Sequence, residues 1–492
     1  MNKTPTGLIA AKRLAVAVAT VCATLAVPAY ATDDVKNVLD LMLKKGVISQ
    51  QDYDQFMKDN ADAAENKQFK EKRLDQDVAK ANAYLIKNAE AGQVMKNGIG
   101  IQSADGQNSI QLTGRLHMDY RQYSPSWAPG ASPDKDPFTD VLEVRRARLG
   151  VRGQFQKDWK YEIVGNYGMS NNGMSSSATE VDVAFVDYAA KPEFQVRMGK
   201  FKMPFSLEQL TSSNNIDFME RSLANQNEGE FVPGKETGVM AFGSPSAGIT
   251  YGLALSVGRG NKSPTIDSLD TIGRVTANLS KAFANNDSIV THVGLAYSSG
   301  KIKTITPSMG RTETRWYTST AADVPFIASS SITDPDRTRL GYEFAVAYEA
   351  LKVQGEIFDF KYKKDIRTDE INTNYLQVVY NLTGEKHNYS NSAGTFGWIK
   401  PNQPFSLEKG GLGAWQVGVR FSSLDASDVK VATGKTNELS AWTYGLTWFV
   451  NDNARVMLNY TSTDFNGVAV GTRADQRITK ESAVMLRGQL SF

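Results

Sequence analysis

The sequence predicts an all-β protein, namely a transmembrane antiparallel β-barrel of 16 strands preceded by a short helical segment. Three observations favour this fold class. The last strand alternates apolar and polar side chains and ends on the aromatic Phe492. The same two-residue period recurs from about residue 108 onward, as in strands with one face toward lipid and the other toward water. The first 31 residues have the features of a secretory signal.

The N-terminal signal is read from charge and hydropathy. Lys3, Lys12 and Arg13 precede an apolar stretch over residues 14–27, and Ala29-Tyr30-Ala31 fits a small-x-small cleavage site. We expect residues 1–31 to be a signal peptide. The only cysteine, Cys22, lies in this segment, so disulfides and cysteine-ligated metals are excluded from the mature chain.

Composition also argues against other classes. The chain of 492 residues is 41% hydrophobic, with 40 Gly and 19 Tyr, and it has no later apolar run of about 20 residues. A helical membrane protein is therefore excluded. The formal net charge of +2 is close to neutral, so any preference for anions must come from where charges sit.

Residues 32–97 are predicted to form a helical, coiled-coil segment in the periplasm. Gly46 ends a first helix and Ser49 can cap a second one. Leu74, Val78, Ala81 and Leu85 then repeat with the spacing of a coiled-coil seam. Two interpretations stay open: an oligomer stalk, or a solvated helix.

Residues 98–492 are predicted to form the barrel, because lipid cannot satisfy open strand edges. In the first strand Leu112, Leu116 and Met118 alternate with Thr113, Arg115 and His117. The candidate strands are 108–121, 141–155, 159–168, 180–189, 194–201, 236–243, 248–258, 272–284, 288–298, 339–349, 351–362, 372–382, 411–423, 439–450, 454–463 and 481–492. An even count places both termini in the periplasm. The connection 383–410 is long on the side of short turns, so 18 strands remain possible.

The connection 202–235 shows no strand alternation and is predicted to be the third outer loop. A loop of this length is disordered, lies on the rim or folds inward as a constriction. Candidate constriction residues are Lys202, Ser212, Ser213, Asn214 and Arg221.

Arginines recur on the predicted water-facing side of the strands. The candidate pore-lining, anion-guiding residues are Arg115, Arg121, Arg145, Arg146, Arg148, Arg152 and Arg197. Fixed guanidinium groups suit oxyanions, because they offer forked hydrogen bonds. The alternative is that they pair with acids and stiffen the wall. Arg145 has lipid-facing parity, so it lies at the interface or a bulge turns it inward.

No catalytic site, metal site, cofactor or nucleic-acid partner is predicted. The histidines His117, His292 and His387 lie on widely separated segments, and none adjoins a nucleophile motif. We expect outer-membrane lipid, the barrel assembly machinery that reads the terminal Phe492, and small anions as partners.

Several segments carry a resemblance to one known family. They are residues 43–49 with Tyr53, 144–151, 158–161, 196–208, 210–213, 218–222 and 381–385. In this order they resemble the phosphate-selective porin O and P family. The resemblance implies a homotrimer of 16-stranded barrels in the outer membrane of a Gram-negative cell, taking up phosphate or related anions past the pair Arg145 and Arg146.

One position departs from that resemblance. The family's phosphate channels carry a lysine just after the Thr-Ser-Ser of the constriction loop, where this chain has Asn214. The loop also holds five acids, Glu208, Asp217, Glu220, Glu228 and Glu230, against Arg221 and Lys235. Its composition predicts a poor lining for a strict phosphate filter.

The sequence therefore predicts an outer-membrane porin, not an enzyme, forming a passive water-filled channel that prefers anions. A general or carbohydrate-type porin is the alternative, and a track of inward aromatic residues such as Phe358, Phe360 and Phe449 would favour it. A structural or adhesive barrel that does not conduct is a third possibility.

Overall fold

The computed structural model describes residues 32–87, 93–94, 99–131, 140–168, 180–226, 231–258, 269–302, 304–305, 308–309, 312–314, 327–328, 332–431, 433–470 and 477–492. The predicted signal peptide and the loop acids Glu228 and Glu230 lie outside these ranges. The chain divides between residues 91 and 92 into a helical unit and a barrel unit.

The helical unit contains α1 (Thr32–Lys44) and α2 (Gln50–Lys87). Gly46 follows α1 with a φ of 66°, a left-handed conformation that glycine adopts without strain. Ser49 and Asp52 cap α2 reciprocally: the Asp52 amide donates to Ser49 Oγ at 3.2 Å, and the Ser49 amide donates to Asp52 Oδ2 at 3.0 Å. Leu74 and Val78 on α2 are 65% and 51% exposed. No described helix has the length and apolarity that crossing a bilayer requires.

The barrel unit is one antiparallel sheet. The short strands Gln93–Val94, Gly100–Gln102 and Ser126–Trp127 pair at its edges, and 16 longer strands close into a ring. Its strands are β1 (Ser109–Tyr123), β2 (Val141–Phe155), β3 (Trp159–Asn166), β4 (Glu180–Lys191), β5 (Phe194–Lys202), β6 (Lys235–Ser246), β7 (Ile249–Ser256), β8 (Asp270–Asn278), β9 (Ile289–Lys301), β10 (Asp336–Tyr348), β11 (Leu351–Lys364), β12 (Arg367–Asn381), β13 (Ala414–Asp425), β14 (Glu438–Phe449), β15 (Ala454–Asp464) and β16 (Ile478–Ser491). Each strand pairs with the next, and β16 pairs with β1 to close the ring.

The 16 predicted strands are confirmed, although several of their boundaries shift, and the largest shift is at one strand end. The predicted strand 272–284 ends at Asn278, because residues Leu279–Ala284 turn into a short helix. The connection 382–413 adds only a two-stranded hairpin of Tyr389–Ser390 and Thr395–Phe396, which does not pair with the barrel. An 18-stranded barrel is therefore excluded.

The two ends of the barrel differ. Tight connections at one end, the turn side, include 156–158, 192–193, 247–248 and 349–350, and the long connection 382–413 lies at this end too. The loop side carries 203–234 and 302–335, but its connection 365–366 is only two residues long. Connection length alone therefore does not distinguish the two sides.

The outer wall is apolar and ringed by aromatic side chains. Leu142, Met198 and Leu253 are among the outward residues more than half exposed. Trp159 packs on Tyr188 with ring centroids 5.1 Å apart, and Trp415 stacks on Trp448 at 5.6 Å. Such a surface suits a lipid environment with aromatic residues at its interfaces.

The last residue completes the seam between β16 and β1. The Phe492 amide donates to the Gly114 carbonyl at 3.1 Å, and the Gly114 amide donates back at 3.0 Å. A Cβ on residue 114 would lie 2.3 Å from the Phe492 ring. A larger residue at this position would therefore displace the terminal ring from this part of the seam.

The barrel interior is divided. The loop residues 203–226 and 231–232 join inward apolar side chains, most of them on β11–β16, in a dry core that includes Phe205, Phe231, Phe358 and Phe360. These four side chains are at most 1% exposed. The loop therefore folds inward, as one of the three sequence-based alternatives predicted.

Candidate functional site in the barrel lumen

The inward loop is fixed to the wall at the start of its short helix α3 (Leu207–Leu210). Glu356 of β11 accepts hydrogen bonds from the amides of Leu207 and Glu208, at 2.6 and 3.1 Å, and from Ser206 Oγ at 3.1 Å. Tyr375 of β12 donates to the same carboxylate at 2.8 Å. A carboxylate at this place satisfies the free amides of the first helical turn.

The other end of α3 is held by cations. Lys202 donates to the carbonyls of Gln209, Leu210 and Thr211, at 2.5, 3.3 and 3.1 Å. Arg221 donates to the carbonyls of Glu208 and Thr211 at 3.2 and 2.9 Å. These two basic residues therefore position the loop as well as facing the lumen.

The acidic side chains of the loop point away from open lumen and into the wall. Glu220 accepts from Arg121, Arg145 and Arg487, at 3.0, 3.1 and 3.0 Å. The Asp217 carboxylate lies 2.8 Å from Lys352. The expectation that these acids make the loop a poor anion lining is therefore corrected for the described residues: each is buried against cations of the wall.

Glu208 joins the same pattern and links two loops. Arg420 of β13 donates to Glu208 at 3.1 Å and to Glu313 at 2.6 Å, and Glu313 belongs to the outer connection 302–335. Burial raises the pKa of the Glu208 carboxyl although Arg420 opposes that rise. Arg420 thus ties residues of both loops to one strand.

The turn-side connection 382–413 also enters the barrel. Tyr389 Oη lies 2.7 Å from His292 Nδ1, and the Gly394 carbonyl accepts from Arg274 at 3.1 Å. Burial and nearby Lys352 lower the pKa of His387, at the start of this insertion, to about 4. Sequence reasoning missed this insertion, which narrows the lumen from the turn side.

A β-bulge turns Arg145 into the barrel. His117 of β1 pairs with Arg146, and Met118 pairs with Val144, so Arg145 has no partner opposite and the register shifts. Arg145 and Arg146 are 7% and 6% exposed, and both face Glu220. The second of the two placements predicted for Arg145 is confirmed.

The space left open is a cavity of about 760 Å³ along the wall of β1–β8. From the loop it is lined by Pro204, Leu210, Ser212, Ser213, Asn214, Asn215, Arg221, Asn225 and Gln226. Ser392 and Ala393 of the turn-side insertion also line it. The channel is therefore eccentric: the cavity lies along β1–β8, whereas most of the dry core lies against the rest of the wall.

Basic side chains dominate this lining. Among the described residues ten cationic side chains line the cavity: Arg115, Arg145, Arg146, Arg148, Arg152, Arg197, Lys202, Arg221, Lys235 and Arg274. The acidic residues of the lining are Glu162, Glu180, Asp182 and Asp452. An excess of fixed positive charge within low-dielectric walls raises the local concentration of anions.

Some cations of the lining form ion pairs with carboxylates of the wall. Asp182 pairs with both Arg148 and Lys235, at 2.9 and 2.5 Å. Arg197 makes a bidentate pair with Asp187, both contacts being 2.7 Å.

Two guanidinium groups have neutral partners instead. Arg115 donates to Ser213 Oγ at 2.9 Å, and Arg152 donates to Gln111 Oε1 at 3.0 Å. Neither has a carboxylate within 4.0 Å among the described residues.

The structure brings together most of the predicted site residues. Six of the seven candidate arginines line the cavity, together with all five candidate loop residues and Phe492. Arg121 lies elsewhere: it is fully buried between Asp119, Glu143 and Glu220. Lys235 also lines the cavity and was not predicted to do so. The available signal was its place directly after Pro233-Gly234, where the inward loop ends and β6 begins.

The aromatic residues do not form an exposed track. Phe358 stacks on Phe205 and Phe360 with centroid distances of 6.1 and 5.8 Å, and Phe360 lies 5.4 Å from Phe231. Because these rings are buried under the loop, they cannot contact a passing solute. Phe358 and Phe360 therefore do not provide the track of lumen-facing aromatic side chains that would have favoured a carbohydrate channel.

The described residues also offer no cluster of His, Cys, Asp or Glu with the arrangement of a metal site. His117 lies between Arg146 and Asn214, and His292 lies between Tyr389 and Glu343. Each of these two histidines thus has a structural partner on both ring nitrogens.

The closed barrel, its apolar belt and its charged internal cavity together define a channel-forming outer-membrane protein. The family model for phosphate-selective porin O and P matches residues 110–492. The chain belongs to this family, and it is an outer-membrane porin.

The chain is also similar to individual proteins. Porin O of Pseudomonas aeruginosa is 26% identical over 394 residues, which are 74% of this chain and 85% of the relative. Among solved structures, OprB of Pseudomonas putida matches with a TM-score of 0.49 and 10% identity, covering 78% of this chain and 94% of that one. The outer-membrane channel DcaP of Acinetobacter baumannii matches with a TM-score of 0.45 and 10% identity, covering 82% and 100%.

Proposed function

We propose that this porin is a passive, anion-preferring channel whose favoured solutes are phosphate or related small oxyanions. The observation that carries the proposal is the basic lining, in which Arg115 and Arg152 lack a carboxylate partner among the described residues. Membership in a phosphate-selective family supports the same solute class. Permeation needs only weak binding followed by release, and no catalytic step is proposed.

The purified full-length mature protein tests this in planar bilayers. With a tenfold gradient of potassium chloride, we expect a reversal potential of the sign that chloride permeation gives. Added phosphate should reduce the chloride current, because the two anions compete for the same guanidinium groups. Cation selectivity would refute the proposal, and so would a chloride current that phosphate leaves unchanged while glucose polymers block it.

We also propose that the chain is a homotrimer with its N-terminal helices in the periplasm. The even strand count places both barrel termini at the turn side, which we assign to the periplasm. Leu74 and Val78 are exposed on α2 at coiled-coil spacing, so a seam between copies would cover them. The family resemblance supports three copies.

Oligomer mass in detergent tests the assembly. Replacing Leu74 and Val78 together by Asp is expected to lower the temperature at which the trimer dissociates, because charges at seam positions oppose association. The matched control adds the same two charges outside that seam, by replacing the exposed residues Gln51 and Gln76 with Asp. A wild-type mass of one chain would disprove the trimer. Equal dissociation temperatures for both variants would disprove the seam alone.

A further inference from the structure

Asn214 lines the channel next to Arg115, which has no carboxylate partner in the part of the chain that the structure describes. Two hydrogen bonds hold its backbone. The backbone N–H of Asn214 donates to Ser212 Oγ at 3.3 Å, and its backbone carbonyl accepts from Gln489 Nε2 at 3.2 Å. The neighbouring Ser213 Oγ accepts from Arg115. The side-chain amide of Asn214 is thereby held at one place on the channel wall.

The orientation of this amide follows from its contact with His117. Arg146 Nη1 lies 3.3 Å from His117 Nδ1, and His117 Nε2 lies 3.0 Å from Asn214 Oδ1. A guanidinium group can only donate, so Nδ1 must accept and the neutral ring carries its proton on Nε2. Nε2 therefore donates to the Asn214 oxygen.

This arrangement leaves the other end of the amide for the channel. Asn214 Nδ2 has no hydrogen-bond partner in the described part of the chain, and it is not among the buried polar atoms that lack one. Since Asn214 lines the cavity, its two N–H groups face the lumen. His117 itself is fully buried and cannot touch a solute.

We propose that His117 is a positioning residue that turns the Asn214 amide so that its NH₂ group binds oxyanions in the channel. The relay runs from Arg146 through the imidazole to Asn214. It supplies a neutral donor beside the positive charge of Arg115, and oxyanions accept hydrogen bonds from both kinds of donor. The inference rests on the proposed anion-preferring function and concerns the affinity of one subsite for phosphate.

Single-channel conductance as a function of phosphate concentration tests the relay in the full-length mature protein. His117→Leu removes the donor, lets the amide rotate and is expected to raise the half-saturating phosphate concentration about threefold to tenfold. The maximal conductance should stay within about twofold, since pore charge and width are kept. Asn214→Leu should raise the half-saturating concentration by a similar factor.

The conservative variant His117→Gln is the matched control. Its amide can accept from Arg146 and donate to Asn214, so it should restore wild-type saturation to within about twofold. In the double variant His117→Leu/Asn214→Leu we expect no further loss beyond either single change, because both remove the same donor.

Each outcome either supports or overturns the positioning of Asn214 by His117. An unchanged half-saturating concentration in His117→Leu, with a raised one in Asn214→Leu, overturns the positioning role. Additive losses in the double variant overturn it too, as does failure of His117→Gln to restore affinity in folded trimers. If the wild type shows no saturable phosphate current or prefers cations, the proposed function itself fails instead.

Discussion

Replacing Arg115 and Arg152 together by Gln is expected to lower the anion-over-cation permeability ratio more than tenfold. A unit charge acting over roughly 8 Å, at an effective dielectric constant of about 20, contributes about 2 kcal/mol, and screening in 0.1 M salt roughly halves this. Each charge favours anions and disfavours cations by about that amount, so both effects enter the ratio. Reversal potentials in a salt gradient measure the change.

The matched control removes two charges from the outer wall. Lys361 and Lys480 pair with Glu370 and Asp464, at 3.0 and 2.7 Å, on strand faces that point away from the lumen. Replacing both by Gln should leave the permeability ratio within about twofold of wild type. Equal shifts in the two double variants would show that overall charge, and not the channel lining, governs selectivity.

Replacing Phe358 by Ala is expected to destabilise the barrel by about 3–5 kcal/mol, the usual range for losing a large buried aromatic side chain. Phe358 is fully buried and stacks on both Phe205 of the loop and Phe360 of the wall. The loop should loosen where it leaves β5, so channel conductance should rise and become noisier. Urea unfolding of the protein in lipid vesicles measures the stability change.

The neighbouring residue supplies the control. Ile357 is 52% exposed and points outward, on the strand face opposite the one that Phe358 presents to the loop. Ile357→Ala should reduce the free energy of unfolding by less than Phe358→Ala does. It should leave the conductance unchanged, because only lipid contact is lost. If both variants lose equal stability and conduct like wild type, the rings do not hold the loop in place.

Much of the barrel could be predicted because lipid imposes a period of two on each strand. In β1, Leu116 and Met118 face outward while Arg115 and His117 face inward, as the alternation predicted. The 16-strand count was also predicted. Its uncertainty came from the connection 382–413, whose length resembles that of two further strands.

The interior was harder to predict, because sequence periodicity gives the direction of a side chain but not what lies opposite. In the sequence, the negative charge of Glu220 argued against anion binding by the loop. In the structure, its carboxylate pairs with Arg121 and Arg487 of the wall and does not line the cavity. The bulge at Arg145 depends on strand register across β1. One signal was present: Phe358 and Phe360 have inward parity, and apolar side chains there indicate a dry partner, not water.

The eccentric channel has a consequence for how this protein can change. Under the proposed function, a solute meets the cavity-lining side chains of β1–β8, whereas most inward side chains of β10–β16 support folding through tight packing. Variation on the first arc can thus alter which nutrients cross while the second arc preserves the scaffold. An engineer seeking new permeability should mutate the cavity-lining side chains of the first arc that hold neither the loop nor the wall, such as Arg152, and leave the second arc intact.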